Sequence, residues 1–414
     1  MKTNIFLIIL LATSAYTLPL FGRNLPVLRT SLFYWGGLVL LAVLFANLSV
    51  FFKKPIIFLL VYGVVMLGLL PSILWDIPEW DQKVMLNDFW SLLIFTTIFS
   101  YYYLQKGFEW LARISKINLI LIVVTLITTN IALCFYPLLV RDSVEITARY
   151  DASRRSIFQI TGAMDYGYSQ AVIFLIPFLI YHIKAKSQKL FSKKVCIFML
   201  LLVFITLVRI QFFANLVIGF FIAILSFMPP KTAKKSFALI ILFFILFLIV
   251  PHSFYGQILV SIGSHFNPDS VMYSKLNDLA IFIQKSGDGP VTQVDIRMAR
   301  YPLLFKAFMT HPFLGVASDG ASFGIGPGRH IYFMYNLTLW GIFGFLFFIF
   351  VLYQVFKTII FSLEEKFRFY YFLSVFGFIL LGLCKHISSL EPFLMLIVII
   401  PGLYFLSAIK ESKI

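Results

Sequence analysis

Apolar positions in this chain neither alternate with polar ones nor trace a single helical face. They run on in blocks closed off by charged residues or by Pro and Gly. A helix that crosses a bilayer needs about 20 predominantly apolar residues, and blocks of that order recur along nearly the whole chain. They predict spans near 4–21, 31–52, 55–74, 88–104, 117–139, 161–183, 195–208, 210–228, 236–253, 331–356, 367–384 and 391–409. The first block also resembles a secretory signal peptide, because Ala12 to Thr17 is small and polar. Only Lys2 precedes it and no cleavage site follows, so it reads as a span. Arg209 alone separates the seventh and eighth blocks, which form either a hairpin or one long tilted helix. The pattern predicts an all-α polytopic membrane protein of about twelve transmembrane helices, with residues 1–414 as a single integral membrane domain.

Two stretches interrupt the apolar blocks. Residues 140–160 carry Arg141, Asp142, Glu145, Arg149, Asp151, Arg154 and Arg155. Residues 254–330, between the ninth and tenth spans, are the one long hydrophilic segment. It begins turn-rich, with Asn267-Pro268-Asp269 and Gly287-Asp288-Gly289-Pro290. Beyond Val294, Ile296, Ala299, Leu303, Leu304 and Ala307 fall near helical spacing, which predicts a short helix over 294–310 ended by His311-Pro312. No internal repeat of the kind that marks many transporters is visible.

Composition agrees with this pattern: 60% of residues are hydrophobic and 13% charged, against roughly 45–50% and about 25% in soluble domains. That excludes a secreted enzyme, a peripheral protein and a single-pass receptor with a soluble head. The net charge of +16 does not indicate nucleic-acid binding, because the basic residues sit in short loops where topology requires them. Alternate loops sort unequally. One set, including Lys53, Lys106, Lys186, Lys194, Lys235 and Lys366, holds 19 of the 34 basic residues and four of the 18 acids, which leaves 15 and 14 for the other. The positive-inside rule then puts both termini in the cytoplasm and residues 254–330 outside. Cytoplasmic positives are mostly Lys, whereas the external ones are mostly Arg: Arg141, Arg149, Arg154, Arg155, Arg209, Arg297, Arg300 and Arg329. The planar arginine fork suits bidentate capture of phosphate, so an anionic lipid-linked substrate would account for positive charge kept against the sorting rule.

Candidate chemistry gathers on the same side. Arg209 breaks a long apolar stretch; it is either functional at membrane depth or an arginine snorkelling from a short external turn. Arg297 and Arg300 project from one face of the expected helix, as an interfacial basic face or as a diphosphate clamp. The segment from Asp319 to His330 brings Gly324, Gly326 and Gly328 ahead of Arg329 and His330 at the start of the tenth span, where free N–H groups favour anions. An imidazole at His330 is the side-chain type suited to act as a base near neutral pH. Other groups are less promising. Cys134, Cys196 and Cys384, and His182, His252 and His265, show no metal-ligand spacing. The sequons at Asn47 and Asn336 fall inside spans. The lack of any Asp-x-Asp argues against a metal-held nucleotide-sugar donor.

Over about 155–356 the chain resembles the O-antigen polymerase and O-antigen ligase superfamily of bacterial envelope glycosyltransferases. The resemblance rests on Arg209 following Thr206 at a span end, on Arg297 opening a short external helix that ends in His311-Pro-Phe-Leu-Gly315, and on His330 followed eleven residues on by Gly341-Ile-Phe-Gly344. Val208 stands where the family often has Ser, and Ile331 where many ligases carry Asn or Ser. Gly162-Ala-Met-Asp-Tyr-Gly-Tyr168 looks closer to the polymerases.

The resemblance implies an enzyme of the bacterial inner membrane that needs no metal or other cofactor and uses an undecaprenyl-diphosphate-linked glycan as donor. Arg209, Arg297, Arg300 and Arg329 would hold the diphosphate and stabilise its departure. His330 would take the proton from the hydroxyl of a glycan acceptor, with inversion at the anomeric carbon. The partners implied are the donor, the acceptor, the lipid bilayer and a chain-length regulator protein, with no nucleic acid. Three activities fit: a polymerase joining lipid-linked repeat units, a ligase moving the glycan to lipid A core, and a flippase for the same lipid. Charges gathered at one face favour an enzyme over a flippase, whose substrate site would lie near the bilayer midplane.

Overall fold

The computed structural model describes residues 2–24, 32–65, 79–137, 139–140, 152–185, 190–210, 212–228, 252–268, 271–284, 300–315, 331–387 and 390–412. Helices make up 87% of the structure, and no strand occurs among the described residues, so the architecture is all-α. In chain order the helices are α1 Lys2–Thr17, α2 Pro19–Asn24, α3 Leu32–Ala46, α4 Lys54–Tyr62, α5 Glu79–Leu104, α6 Phe108–Phe135, α7 Ala152–Thr161, α8 Tyr166–Ala171, α9 Ile176–Lys184, α10 Lys193–Arg209, α11 Phe213–Phe227, α12 His252–Gly263, α13 Val271–Gln284, α14 Arg300–Thr310, α15 Tyr332–Ser362, α16 Glu365–Cys384, α17 Leu390–Leu394 and α18 Ile400–Ser412. A 3-10 turn joins α8 to α9, and a π-helical turn, Met395–Ile399, joins α17 to α18.

Five segments are long and apolar enough to cross a membrane: Phe108–Phe135, Ile157–Lys184, Tyr332–Ser362, Glu365–Cys384 and Leu390–Lys410. The shorter α1, α3, α4 and α11 are also apolar. Large side chains on the outer helices, among them Phe45, Phe135 and Phe361, lie mostly exposed. A water-soluble monomer rarely leaves so much apolar surface open, whereas hydrocarbon is the solvent that such a surface fits. The chain has the features of an all-α, multi-pass membrane protein.

The centre of the bundle is built from the least exposed segments, Ile157–Lys184 and Leu390–Lys410. Close approach there depends on small residues and on hydroxyls that bond backbone, as expected where no hydrophobic force separates helix from lipid. Ser115 of α6 donates to the carbonyl of Val398 at 3.0 Å, and Tyr371 of α16 to that of Leu396 at 2.8 Å. Both acceptors lie in the π-helical turn, where the usual i−4 pairing is interrupted. A second seam joins α1 to α6. Asn118 donates to Thr13 Oγ1 at 2.9 Å and accepts from Thr17 at 2.5 Å, while Thr125 and Tyr168 both donate to the Thr17 carbonyl at 2.9 Å.

Helix ends fall into two layers. At one end Phe108 meets Phe405, His182 meets Ser407, Tyr181 meets Phe367, and Lys184 donates to the last carbonyls of α11. At the other end Arg209 meets the last turn of α6, Lys385 meets Tyr166 and Phe212, and Tyr332 meets Asp88.

The structure bears on three sequence expectations. The seventh and eighth blocks are two helices, α10 and α11, that pack side by side: Phe204 stacks on Phe220 at 4.5 Å, and Gly219 faces Leu207. The opening of the long loop, expected to be turn-rich, instead contains α12 and α13, which pack together with Gly263 against Leu276 and Tyr273. Ile258, Leu259, Val260 and Ile262 are the apolar residues that the Ser, Gly and Pro around them obscured. Of the short helix expected over 294–310, residues 300–310 are helical as α14, and 294–299 lie outside the described residues. Residues 236–251 of the ninth expected span lie outside the described residues.

Candidate functional site

Arg209 is the last residue of α10, with Ile210 as its C-cap. Its guanidinium is half-buried and donates from Nη1 to the carbonyl of Asn130 at 2.7 Å, with Nη2 3.3 Å from the Cys134 sulfur. Asn130 in turn donates to Thr206 Oγ1 at 2.6 Å, and Thr206 to the Leu202 carbonyl at 2.6 Å. The charge therefore sits at the C-terminal ends of both α6 and α10, where the helix dipoles favour a cation. This geometry ties the guanidinium to the ends of two helices and holds its fork at the bundle end.

Beside it, three segments far apart in sequence converge. Asp165 caps α8 by accepting from Tyr168 N at 3.0 Å, which fixes Tyr166 at the first position of that short helix. The Tyr166 ring meets Phe212 edge-on at 5.1 Å, and Lys385 Nζ lies 5.3 Å from the centre of each ring. Gln170, fully buried, donates to the His386 carbonyl at 2.6 Å. Asn215, also fully buried, donates to Ser169 Oγ at 2.9 Å, and its Oδ1 has no hydrogen-bond partner among the described residues. Tyr332 completes the cluster. Its N–H donates to the Lys385 carbonyl at 3.1 Å, its hydroxyl donates to buried Asp88 at 2.8 Å, and its ring lies 6.2 Å from that of His386.

Tyr332 reaches this position because α15 is sharply bent. Gly341 has φ 61° and ψ −173°, a break within the helix. Phe333 and Phe345 are twelve positions apart, and Tyr332 and Phe348 sixteen; a straight helix would separate them by about 18 and 24 Å. Their rings are instead 6.5 and 6.1 Å apart, so residues 332–340 fold back beside the start of the 342–362 leg. Breaking the helix strands the first N–H groups of that leg. The turn after α14 supplies acceptors: Ile342 N donates to the Pro312 carbonyl at 2.8 Å and Phe343 N to that of Phe313 at 3.3 Å. Thr338 adds a bond to the Leu304 carbonyl at 3.0 Å, and Tyr301 donates to the carbonyl of Leu383. The His311–Gly315 and Gly341–Gly344 motifs, read separately in the sequence, are thus one contact. His311 itself is exposed, with Nδ1 3.2 Å from Thr310 Oγ1.

Of the site residues expected from sequence, Arg209 is placed at the polar end, and Arg300 is the first residue of α14, which docks there along 332–340. His330, Arg297 and Arg329 lie outside the described residues; Ile331, next after His330, is buried at the start of α15. Sequence reasoning missed Lys385, His386, Tyr166, Phe212 and Asp88. A signal for Asp88 existed, since an acid inside a predicted span is a functional candidate on the same grounds as Arg209. Among the described residues no group of three His, Cys, Asp or Glu side chains is arranged to hold a metal ion.

No protein-family model matches this chain, and a search of curated proteins found no match.

Proposed function

We propose that the chain is a membrane glycosyltransferase that polymerises surface polysaccharide, joining undecaprenyl-diphosphate-linked oligosaccharide repeat units at the periplasmic face of a bacterial inner membrane. In this reading the chain crosses the membrane twelve times with both termini in the cytoplasm, and the end bearing Arg209, Lys385 and α14 faces the periplasm. The donor's diphosphate is held by Arg209, Arg297, Arg300 and Arg329. His330 takes the proton from the acceptor sugar hydroxyl as that oxygen attacks the anomeric carbon, and the lipid diphosphate leaves with the bonding pair. Arginine forks stabilise the charge that develops on it without requiring a metal.

The observation that carries this reading is the contact of His311–Gly315 with Gly341. Two motifs of the resemblance, separated in sequence, form one backbone junction, and that junction sits at the bundle end where cationic and polar side chains converge. The enzyme reading also suits a site at one end rather than at mid-depth.

Two experiments test it. Deletion of the gene, followed by gel analysis of surface polysaccharide, should leave a single repeat on core; no repeat on core would indicate a ligase, and an unchanged ladder would refute both. In a purified assay scoring donor binding and product separately, His330→Ala should abolish transfer with donor binding nearly normal, while His311→Ala should have little effect. The reverse ranking would remove His330 from its role. Arg297→Lys and Arg209→Lys should each lower transfer about a hundredfold, on the order of 2–4 kcal/mol, because a point charge does not replace the fork.

A further inference from the structure

At the end of the bundle opposite Arg209, α5 passes into α6 through a turn whose backbone is set by Lys106. Gly107 N donates to the Tyr102 carbonyl at 2.8 Å and Lys106 N to that of Tyr103 at 3.2 Å, the bond pair that usually closes a helix on a left-handed glycine. Here the left-handed residue is Lys106, with φ 50°, and among the described residues no other non-glycine shares that region. Glycine stands one position later, where φ is an ordinary −83°. A lysine in this conformation carries a strain that glycine would not. The turn frames a cleft of about 200 Å³ lined by Tyr101, Tyr102, Gln105, Lys106, Glu109 and Trp110. Its two tyrosines differ. Tyr101 pairs with the Gln105 side chain, whereas Tyr102, 3% exposed, has a hydroxyl with no hydrogen-bond partner among the described residues. A buried hydroxyl left without a partner is unfavourable. Glu109 is already engaged, and Lys106 is the exposed cation of the lining. The surroundings are those of a bilayer boundary, where basic and aromatic side chains interleave: the Arg113 guanidinium lies 5.1 Å from the Trp110 ring centre, and Phe6 packs on Trp110 at 4.9 Å. From the cleft an exposed stripe at helical spacing runs along α6 through Arg113 and Lys116 to Ile120, Val124 and Ile127.

We propose that this cleft binds the phosphodiester head group of a glycerophospholipid in the adjoining leaflet, with Lys106 against the phosphate and the Tyr102 hydroxyl donating to a head-group oxygen. The inference stands apart from the glycosyltransferase reading, because the cleft lies at the other end of the bundle from Arg209. A strained lysine and an unpartnered hydroxyl on one small opening are each unfavourable on their own, and strain of this kind gathers where a ligand is held. One ligand answers both, since a phosphate pairs with the ammonium and gives the hydroxyl an acceptor. The apolar part of the α6 stripe, Ile120 to Ile127, is the track that an acyl chain would follow below the head group, which favours a lipid over a free anion.

The test uses the full chain in detergent, stripped of lipid, with phosphatidylglycerol, a diacylglycerol of the same acyl chains and inorganic phosphate as probes. Phosphatidylglycerol should raise the melting temperature by several degrees, and the other two should not. Asparagine tolerates the left-handed region and has no charge. Lys106→Asn should therefore melt no lower than the wild type without lipid, yet retain phosphatidylglycerol about tenfold more weakly in native mass spectrometry. Lys106→Arg keeps the charge and should bind to within about threefold of the wild type. Tyr102→Phe removes a hydroxyl that has no partner, so it should also melt no lower without lipid while binding about threefold or more weakly. Lys357→Gln, at an exposed position of α15 outside the cleft, should bind as the wild type does. Undiminished phosphatidylglycerol binding in Lys106→Asn and Tyr102→Phe, with lower lipid-free melting temperatures, would assign both side chains to the fold and overturn the proposal. Equal stabilisation of the wild type by diacylglycerol or by inorganic phosphate would overturn it as well.

Discussion

Gly341 and Gly315 each take a left-handed φ, 61° and 82°, and each would place a Cβ inside the other's strand of the junction. A Cβ on Gly341 would lie 2.4 Å from the backbone of Phe313, and one on Gly315 would lie 2.1 Å from the Leu339 carbonyl oxygen. The Gly341 angles fall in a region that essentially only glycine occupies, at a cost of about 1–3 kcal/mol for other residues, and backbone cannot yield as a side-chain tip can. Gly341→Ala should therefore cost about 3 kcal/mol or more and lower the melting temperature of the detergent-solubilised protein by several degrees. Gly37→Ala, in a helix with nothing within 4 Å of the new carbon, should be neutral or stabilise by up to about 1 kcal/mol. Tyr332 makes a second residue-scale case. Removing its hydroxyl takes a donor from buried Asp88, so Tyr332→Phe should cost about 1–3 kcal/mol. Asp88→Asn keeps an acceptor oxygen and should cost less, measured by the same thermal unfolding.

Among the elements, the cation at the opposite end shows how helix termini are managed. Lys184, in the last turn of α9, donates to the carbonyls of Ser226, Phe227 and Met228 at 3.4, 2.9 and 3.1 Å, closing the C-terminus of α11. Lys184→Met should destabilise by roughly 1 kcal/mol, whereas Lys184→Arg should retain most of that; unfolding monitored by α11-specific hydrogen exchange would separate the two. Elements were also where the sequence could be read best. Long apolar runs announce helices because length and composition suffice. The break between α10 and α11 is hard to read in the sequence, because so short a connection does not dent the hydropathy of its flanks. The bend in α15 was invisible for a related reason: apolar sequence continues through Gly341, and only long-range ring contacts reveal that the chain doubles back. Arg209 was legible as a charge among apolar neighbours. Lys385, Tyr166 and Phe212 were not, because each is ordinary in its own segment and their meaning lies in a meeting of three segments.

Taken whole, the molecule places Lys106, Lys184, Lys366 and Arg368 towards one end and Arg209 and Lys385 at the other. If the first end is cytoplasmic, reporters fused at Lys186 and Lys235 should show cytoplasmic activity and those at Asp151 and Asp288 periplasmic activity. A cytoplasmic signal at Asp288 would turn the candidate site to the wrong compartment.

The junction at Gly341 also bears on how the chain is made. Unsatisfied backbone N–H groups entering hydrocarbon cost several kcal/mol each. Two of those at the head of the 342–362 leg are taken up by carbonyls of Pro312 and Phe313, residues translated earlier. The leg is therefore satisfied at its head only where the 312–313 turn is docked against it. The 342–362 leg is thus completed by a distant segment of the chain and not by its own preceding turn, so its insertion into hydrocarbon is coupled to the docking of α14.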